Sequence, residues 1–274
     1  MHKIYRLIII RTSNLLMNLG SDGMEIEIKV KSLHKALDIL NCFADGETLG
    51  VTEISERFGL CKSNVHNILC TFRQQGYLEQ NPVTGKYRLG MQIMVLCKGL
   101  TDSFPITRIA LPYMQEMADR TGERVYMGIP YGWEVFYLDS TYPSQSPSLI
   151  RRVLGLKVPM HCTGLGKAIL ANLPEEQIAR FLDSNELTAY TDRTITDRKQ
   201  LLRELNRTRL RGYAIDDMEH EFGIKCLALP VFDKDRKVYA SMSVSGLSSH
   251  FTEEKIRKWA VIGREYVEKI ENYL

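Results

Sequence analysis

Residues 51–89, VTEISERFGLCKSNVHNILCTFRQQGYLEQNPVTGKYRL, decide the fold of the first part of this chain. They read as two short helices joined by a tight turn and followed by a β-hairpin. In the second helix Val65, Ile68, Leu69 and Phe72 fall at i, i+3, i+4 and i+7, a single face that needs a core to bury against. The opposite face carries Lys62, Ser63, Asn64, His66 and Asn67, all able to donate hydrogen bonds. Phe58-Gly59-Leu60 is a three-residue, glycine-containing connection of the helix-turn-helix kind. Gly76 stands where a left-handed residue closes the second helix. Residues 77–80 and 86–89, joined by a turn over 81–85, make the hairpin, with Lys86 and Arg88 on its return strand. The pattern is that of a winged helix-turn-helix, and the partner it predicts is double-stranded DNA. Ser63, Asn64, His66 and Asn67 lie on the N-terminal half of the recognition helix, where side chains meet base edges in the major groove. Lys62, Lys86 and Arg88 are expected to hold phosphates, which position the domain without reading sequence.

Working outward, Ser32 predicts the cap of an earlier helix whose stripe is Leu33, Ala36, Leu37 and Leu40. Thr52 predicts the cap of the next, with Ile54 and Phe58 turned inward. Residues 91–101 are again helical in pattern, with Met91, Met94, Val95 and Cys97 on a face that a small domain cannot cover. That face predicts a linker helix and dimerisation surface. Phe104-Pro105 ends it, because a residue before proline avoids helical geometry. Beyond lie a helix at 106–120, strands at 124–129 and 133–142, an apolar stretch at 149–160 bent at Gly155, and a short helix at 164–171. Pro174 opens a further helix, and Asp197 caps another (Leu201, Leu202, Leu205, Leu210) that stops at Gly212. Strands at 213–216, 224–232 and 237–245 precede a last helix capped by Thr252, with Ile256, Trp259, Gly263, Tyr266 and Ile270 on one face. The predicted fold class is α+β, with a mostly antiparallel sheet in the second domain. The expected division is an extension over 1–23, disordered or upstream of a true start at Met24, then a winged domain over 24–90. A linker helix over 91–104 and a second domain over 105–274 complete it.

Composition sets bounds. The 274 residues are 44% hydrophobic and 25% charged, with a net charge of +3, the profile of an ordinary globular protein. Residues 25–90 hold eight Lys and Arg against eight Asp and Glu. The basic bias is therefore local: over 60–90, Lys62, Arg73, Lys86 and Arg88 face only Glu79 in sequence. Phosphate contact needs clustered cations rather than a basic domain. The six cysteines form no CxxC pair and no disulfide framework, so reduced thiols and a cytoplasmic setting are expected. No apolar run reaches the roughly 20 residues of a membrane span, and no membrane partner is expected.

In the second domain, residues 161–167 (HCTGLGK) resemble a phosphate loop only superficially. A Walker pattern needs glycine in place of His161 and Ser or Thr in place of Ala168. What remains is either a helix start whose N–H groups favour an anion or a plain tight turn into a helix. Ser241, Ser243 and Ser245 share one face of a strand, either solvent-exposed or lining a cavity for a small polar ligand. Asp216, Glu219, His220, Cys226, His161 and Cys162 lack the compact spacing of a structural zinc site, and no nucleophile is tied to a base by a local signature. No metal, no cofactor and no catalytic residue is therefore predicted.

These residues together resemble the IclR-type bacterial transcriptional regulators. The resemblance is carried by residues 32–40 (SLHKALDIL), 59–65 (GLCKSNV), Gly76-Tyr77-Leu78 and 87–90 (YRLG). It continues through 159–168 (PMHCTGLGKA), 212–216 (GYAID), 219–228 (EHEFGIKCLA) and 243–246 (SVSG). It implies a homodimer, often a dimer of dimers, whose C-terminal domain binds a small metabolite. It places effector contacts at Gly164, Leu165, Asp216, Cys226, Ser243 and Ser245. Asn64 and Asn67 stand where the family commonly has Thr and Arg. The expected function is a ligand-responsive DNA-binding regulator of a catabolic operon, more often a repressor than an activator, with a small carboxylate such as a sugar acid or 2-oxo acid as effector. The alternative is an enzyme acting on a small acid through Cys226 and His161, with the winged domain serving only dimerisation.

Overall fold

A computed structural model describes residues 28–103, 105–145 and 153–274. The expected extension over 1–23 and the first part of the apolar stretch at 149–160 lie outside the described residues. The chain divides into two compact units with the boundary between residues 104 and 105.

In the first unit, α1 (Lys31–Asn41), α2 (Val51–Phe58) and α3 (Lys62–Gln74) precede a hairpin of β1 (Leu78–Gln80) and β2 (Tyr87–Leu89). Ile39, Phe43, Leu49, Ile54, Val65, Leu69, Leu78 and Tyr87 form its core. Gly59 closes α2 at φ 62°, a left-handed conformation that glycine adopts without a Cβ penalty. Leu78 pairs with Leu89, Glu79 with Arg88 and Gln80 with Tyr87 across the hairpin.

Two expectations about this unit are corrected. α1 begins at Lys31 with no side-chain cap, and Leu33 and Leu37 are exposed while Ile39 and Phe43 fill the core. α2 begins at Val51, one residue before Thr52; its start is closed instead by Glu53, whose Oε2 accepts the Gly50 N–H at 2.6 Å. α4 (Gln92–Ser103) follows the hairpin, and Met91, Met94, Val95 and Leu96 are exposed.

The second unit is built on a six-stranded sheet of β3 (Arg124–Tyr131), β4 (Glu134–Thr141), β5 (Lys157–Pro159), β6 (Ala214–Asp217), β7 (Ile224–Phe232) and β8 (Val238–Leu247). Its order is β5-β4-β3-β8-β7-β6, and every pairing is antiparallel. Alternation along the strands gives the sheet two faces. Val125, Met127, Leu227, Leu229, Met242 and Val244 point to one face, where they pack with α5 (Pro105–Thr121) and α9 (Glu253–Glu271) through Met114, Met117, Trp259 and Tyr266. Ala214, Ala228 and Tyr126 point to the other, beneath α6 (Gly164–Leu170), α7 (Glu175–Ser184) and α8 (Arg198–Arg211). α8 buries Leu201, Leu205 and Thr208, whereas Leu202 and Leu210, expected on its inner stripe, are exposed. Caps at Asp197 and Thr252 form as expected, accepting the N–H groups of Gln200 and Lys255. No helix among the described residues is long and apolar enough to cross a membrane.

Every residue of α6 is buried. A Cβ on Gly166 would collide with the Met160 backbone, which cannot yield as a flexible side chain can. Gly166→Ala should therefore destabilise the second unit by about 1–3 kcal/mol. Both tryptophans, Trp133 and Trp259, lie in this unit, so the loss is read as a lower midpoint in a tryptophan-fluorescence melt. An unchanged midpoint would contradict the close packing of α6.

Candidate functional site

The exposed face of α3 presents Lys62, Ser63, Asn64, His66 and Asn67 to solvent, as its buried side requires. Among the described residues the side chains of Lys62, Asn64 and Asn67 have no partner. Ser63 Oγ donates to Cys61 Sγ at 3.5 Å, and the His66 ring lies against Cys70 Sγ, with Nε2 at 3.6 Å. The two hairpin cations are placed differently. Lys86 Nζ pairs with Glu53 Oε1 at 2.7 Å, and Arg88 Nη2 with Glu79 Oε2 at 2.8 Å. Glu53 stands 33 residues before its partner, so the count over 60–90 could not include it.

The six candidate effector residues converge on the sheet face under α6. Asp216, Cys226 and Ser245 are consecutive partners across β6, β7 and β8, and Ala228 and Ser243 form the adjacent row. Gly164 sits directly above: a Cβ there would lie 3.2 Å from Cys226 Cβ, 3.3 Å from Ala228 Cβ and 3.8 Å from Asp216 Cβ. Leu165 is buried in the apolar cluster beside them. The first N–H groups of a helix have no partner within it. Thr163 Oγ1 takes that of Gly166 at 3.1 Å, and among the described residues those of Gly164 and Leu165 have no acceptor. Ser243 and Ser245 are buried rather than solvent-facing, and Cys226 Sγ–H donates to Ser245 Oγ at 3.1 Å. Ser241 drops out of the hydroxyl row, since its Oγ donates to the Leu229 carbonyl.

Sequence reading missed the charge at the centre of this cluster. Lys167 is 0% exposed and pairs with Glu219, whose own N–H donates to Asp216 Oδ1 at 2.8 Å. Glu219 Oε2 is buried with no protein partner among the described residues. The corner holding Glu219 is fixed by a left-handed Met218 (φ 62°). Thr191 Oγ1 donates to the Met218 carbonyl at 2.7 Å and Thr194 Oγ1 to the Glu219 carbonyl at 2.5 Å. The available signal was a lysine inside GLGKAIL, a helix with no polar face.

Burial sets the protonation of this cluster. It lifts the Asp216 carboxyl to about 7, against the pull of Lys167 and the Glu219 N–H, and raises Glu219 despite the Lys167 pair. It also raises the thiols of Cys162 and Cys226, so neither supplies the thiolate that nucleophilic chemistry needs. Burial lowers His161, leaving a neutral ring whose Nε2 lies 3.0 Å from the Thr188 carbonyl; Nε2 is thus assigned the proton. Among the described residues no three His, Cys, Asp or Glu side chains are grouped to hold a metal ion.

Comparison with known proteins agrees with both halves. Residues 32–82 match the family model of the IclR helix-turn-helix domain, and residues 98–272 that of the bacterial transcriptional regulator IclR C-terminal domain. The chain is 34% identical over 228 residues to the HTH-type transcriptional regulator XynR of Escherichia coli strain K12, covering 83% of this chain and 90% of that protein. It is 32% identical over 239 residues to the transcriptional repressor IclR of the same strain, covering 85% and 86%. The crystal structure of the Thermotoga maritima IclR superposes with a TM-score of 0.75 at 34% identity, covering 89% of this chain and 98% of that one.

Asp216 provides a test of the electrostatics. Its unfolded value lies near 3.8 and its folded value near 7. The folded chain therefore binds the extra proton, and stability should fall as pH rises through that window. Asp216→Asn keeps an oxygen for the Glu219 N–H but carries no charge. Its thermal midpoint should exceed that of the unsubstituted chain at pH 8, and the two should converge as pH falls toward 4. Midpoints that stay parallel across the range would contradict the assignment.

Proposed function

This chain belongs to the IclR family of bacterial transcriptional regulators, and on that footing we propose that it is a ligand-responsive repressor of a catabolic operon. It is a regulator rather than an enzyme, so catalysis through Cys226 and His161 is set aside. In this reading it acts as a homodimer or dimer of dimers on a palindromic operator and responds to a small carboxylate. The observation that carries it is the open donor face of α3, five exposed polar side chains backed by the buried Val65 and Leu69. Asn64 and Asn67 match adenine edges, with which a side-chain amide can form two hydrogen bonds. Lys62, with Lys86 and Arg88, would hold phosphates, and Ser63 and His66 would supply further donors. Few cations per chain suffice if two or four copies bind together. Exposed Leu33 and Leu37 on α1, with Met91, Met94, Val95 and Leu96 at α4, would provide the apolar surface for pairing.

For the effector, the N–H groups of Gly164 and Leu165 would donate to a carboxylate, and Asp216, Ser243 and Ser245 would meet hydroxyl or oxo groups further along it. Cys226 would form the floor beneath Gly164. A sugar acid or a 2-oxo acid fits this set. Binding would bias the relative orientation of the paired winged units and so change operator affinity.

Two measurements check the reading. In quantitative gel shifts over base-substituted operators, Lys62→Ala should weaken every sequence alike and reduce the salt slope by about 0.9. Asn64→Ala or Asn67→Ala should instead erase a base preference worth about 1–3 kcal/mol. The reverse pattern would overturn the division of roles. In isothermal titration with sugar acids and 2-oxo acids, at least one should bind and Ser243→Ala should weaken it. Tight binding of a neutral sugar, with no response to any anion, would overturn the effector class.

A further inference from the structure

Both cations of the wing are already occupied in the protein alone. Lys86 reaches back to α2 and holds Glu53 Oε1 at 2.7 Å. Arg88 directs both Nε and Nη2 to Glu79 Oε2, at 3.2 and 2.8 Å, from the position directly opposite in the hairpin. Lys62, on the recognition helix, has no acidic partner among the described residues. Of the three cations assigned to phosphates, Lys62 is therefore open and Lys86 and Arg88 are latched.

The first latch is anchored on its acidic side. Glu53 Oε2 accepts the Gly50 N–H at 2.6 Å, and the Lys86 and Gly50 hydrogen bonds hold its carboxyl below the usual range. Glu53 thus stays at the start of α2 while the long Lys86 side chain is free to leave. Next to Glu79, Gln80 accepts from Arg73 Nη1 at 2.6 Å and donates to the Gly85 carbonyl at 3.0 Å. The wing is thus tied to α3 by contacts separate from the Glu79–Arg88 pair.

Resting on the reading of this unit as DNA-binding, we propose that Glu53 and Glu79 are resident stand-ins for DNA phosphates, and that they restrain binding to every duplex equally. Exposed ion pairs are weak, while a duplex offers one phosphate charge per about 1.7 Å of axis. Phosphates can therefore displace both carboxylates, but each exchange leaves a glutamate that must recruit a cation from solution. Affinity and counterion release are both reduced, and base preference is untouched. The ratio between operator and random sequence is then unchanged, while the absolute occupancy of duplexes that make no base contacts with α3 falls at working salt.

The test uses the full chain with Glu53→Gln, Glu79→Gln and the double variant. The probes are a duplex from upstream of the chain's own gene and a random-sequence duplex of equal length, each titrated through a salt series. Glutamine retains the Gly50 contact, so thermal midpoints should stay close to that of the unsubstituted chain. Each substitution should tighten both duplexes by the same factor, about two- to fivefold, and the factors should multiply. Each should also steepen the salt slope by up to about 0.9. In a Lys86→Ala background, Glu53→Gln should have no effect. Unchanged affinity and slope, tightening of one duplex only, or full persistence of the Glu53→Gln effect without Lys86 would each overturn the proposal while leaving the DNA reading intact. If the unsubstituted chain bound neither duplex, the DNA reading would fall and the proposal with it.

Discussion

A lysine side chain with no exposure to solvent must find its counter-charge inside the fold, because an unpaired buried ion is far costlier than a paired one. Lys167 imposes that constraint on the second unit. It reaches Glu219 from α6, and this draws in the corner between β6 and β7, whose carbonyls are taken by Thr191 and Thr194. The Glu219 N–H then fixes Asp216. One charge on a short helix thus links α6, the corner and the segment over residues 191–194. Burial, working against the pull of that charge, sets the chemistry of the patch below Gly164: it keeps the thiols protonated and lifts the Asp216 carboxyl to about 7. The result is a buried polar patch that offers hydrogen-bonding groups and no thiolate for nucleophilic attack.

The first unit handles charge in the opposite regime. Its ion pairs are exposed, with side chains 42% to 68% accessible in the two wing pairs, where water and salt screen them. Such pairs form and dissolve readily, so they define which cations are open at rest without holding the fold together. The buried pair is structural and the exposed pairs are exchangeable, for one reason: the dielectric around them.

Most of the architecture was legible in sequence because it rests on local signals. Gly59, Gly212, Asp197 and Thr252 mark helix ends through backbone conformation or a single side-chain bond, and each does so in the structure. Failures came where two apolar choices competed. Leu33 and Leu37 make as good a stripe on α1 as Ile39 with Phe43 just past its end, yet only the second pair meets a core. Leu202 and Leu210 flank the true inner face of α8 in the same way. Ser32 and Thr52 are good capping residues placed one position inside helices that start earlier. Periodicity identifies an apolar face; it does not say what lies opposite.

By itself the sequence determined the element order, the winged helix-turn-helix and its donor face, the α+β character of the second unit and the family. All of these depend on residues within a turn or two of one another, or on motifs kept in fixed order. Tertiary structure alone decided which charges meet. It brought Glu53 to Lys86, Lys167 to Glu219, and Gly164 onto Cys226 and Asp216, across separations of 33, 52 and more than 50 residues. Coulombic interaction and desolvation act through space and not along the chain. The electrostatic state of both sites therefore became readable only once the strands and helices had been set side by side.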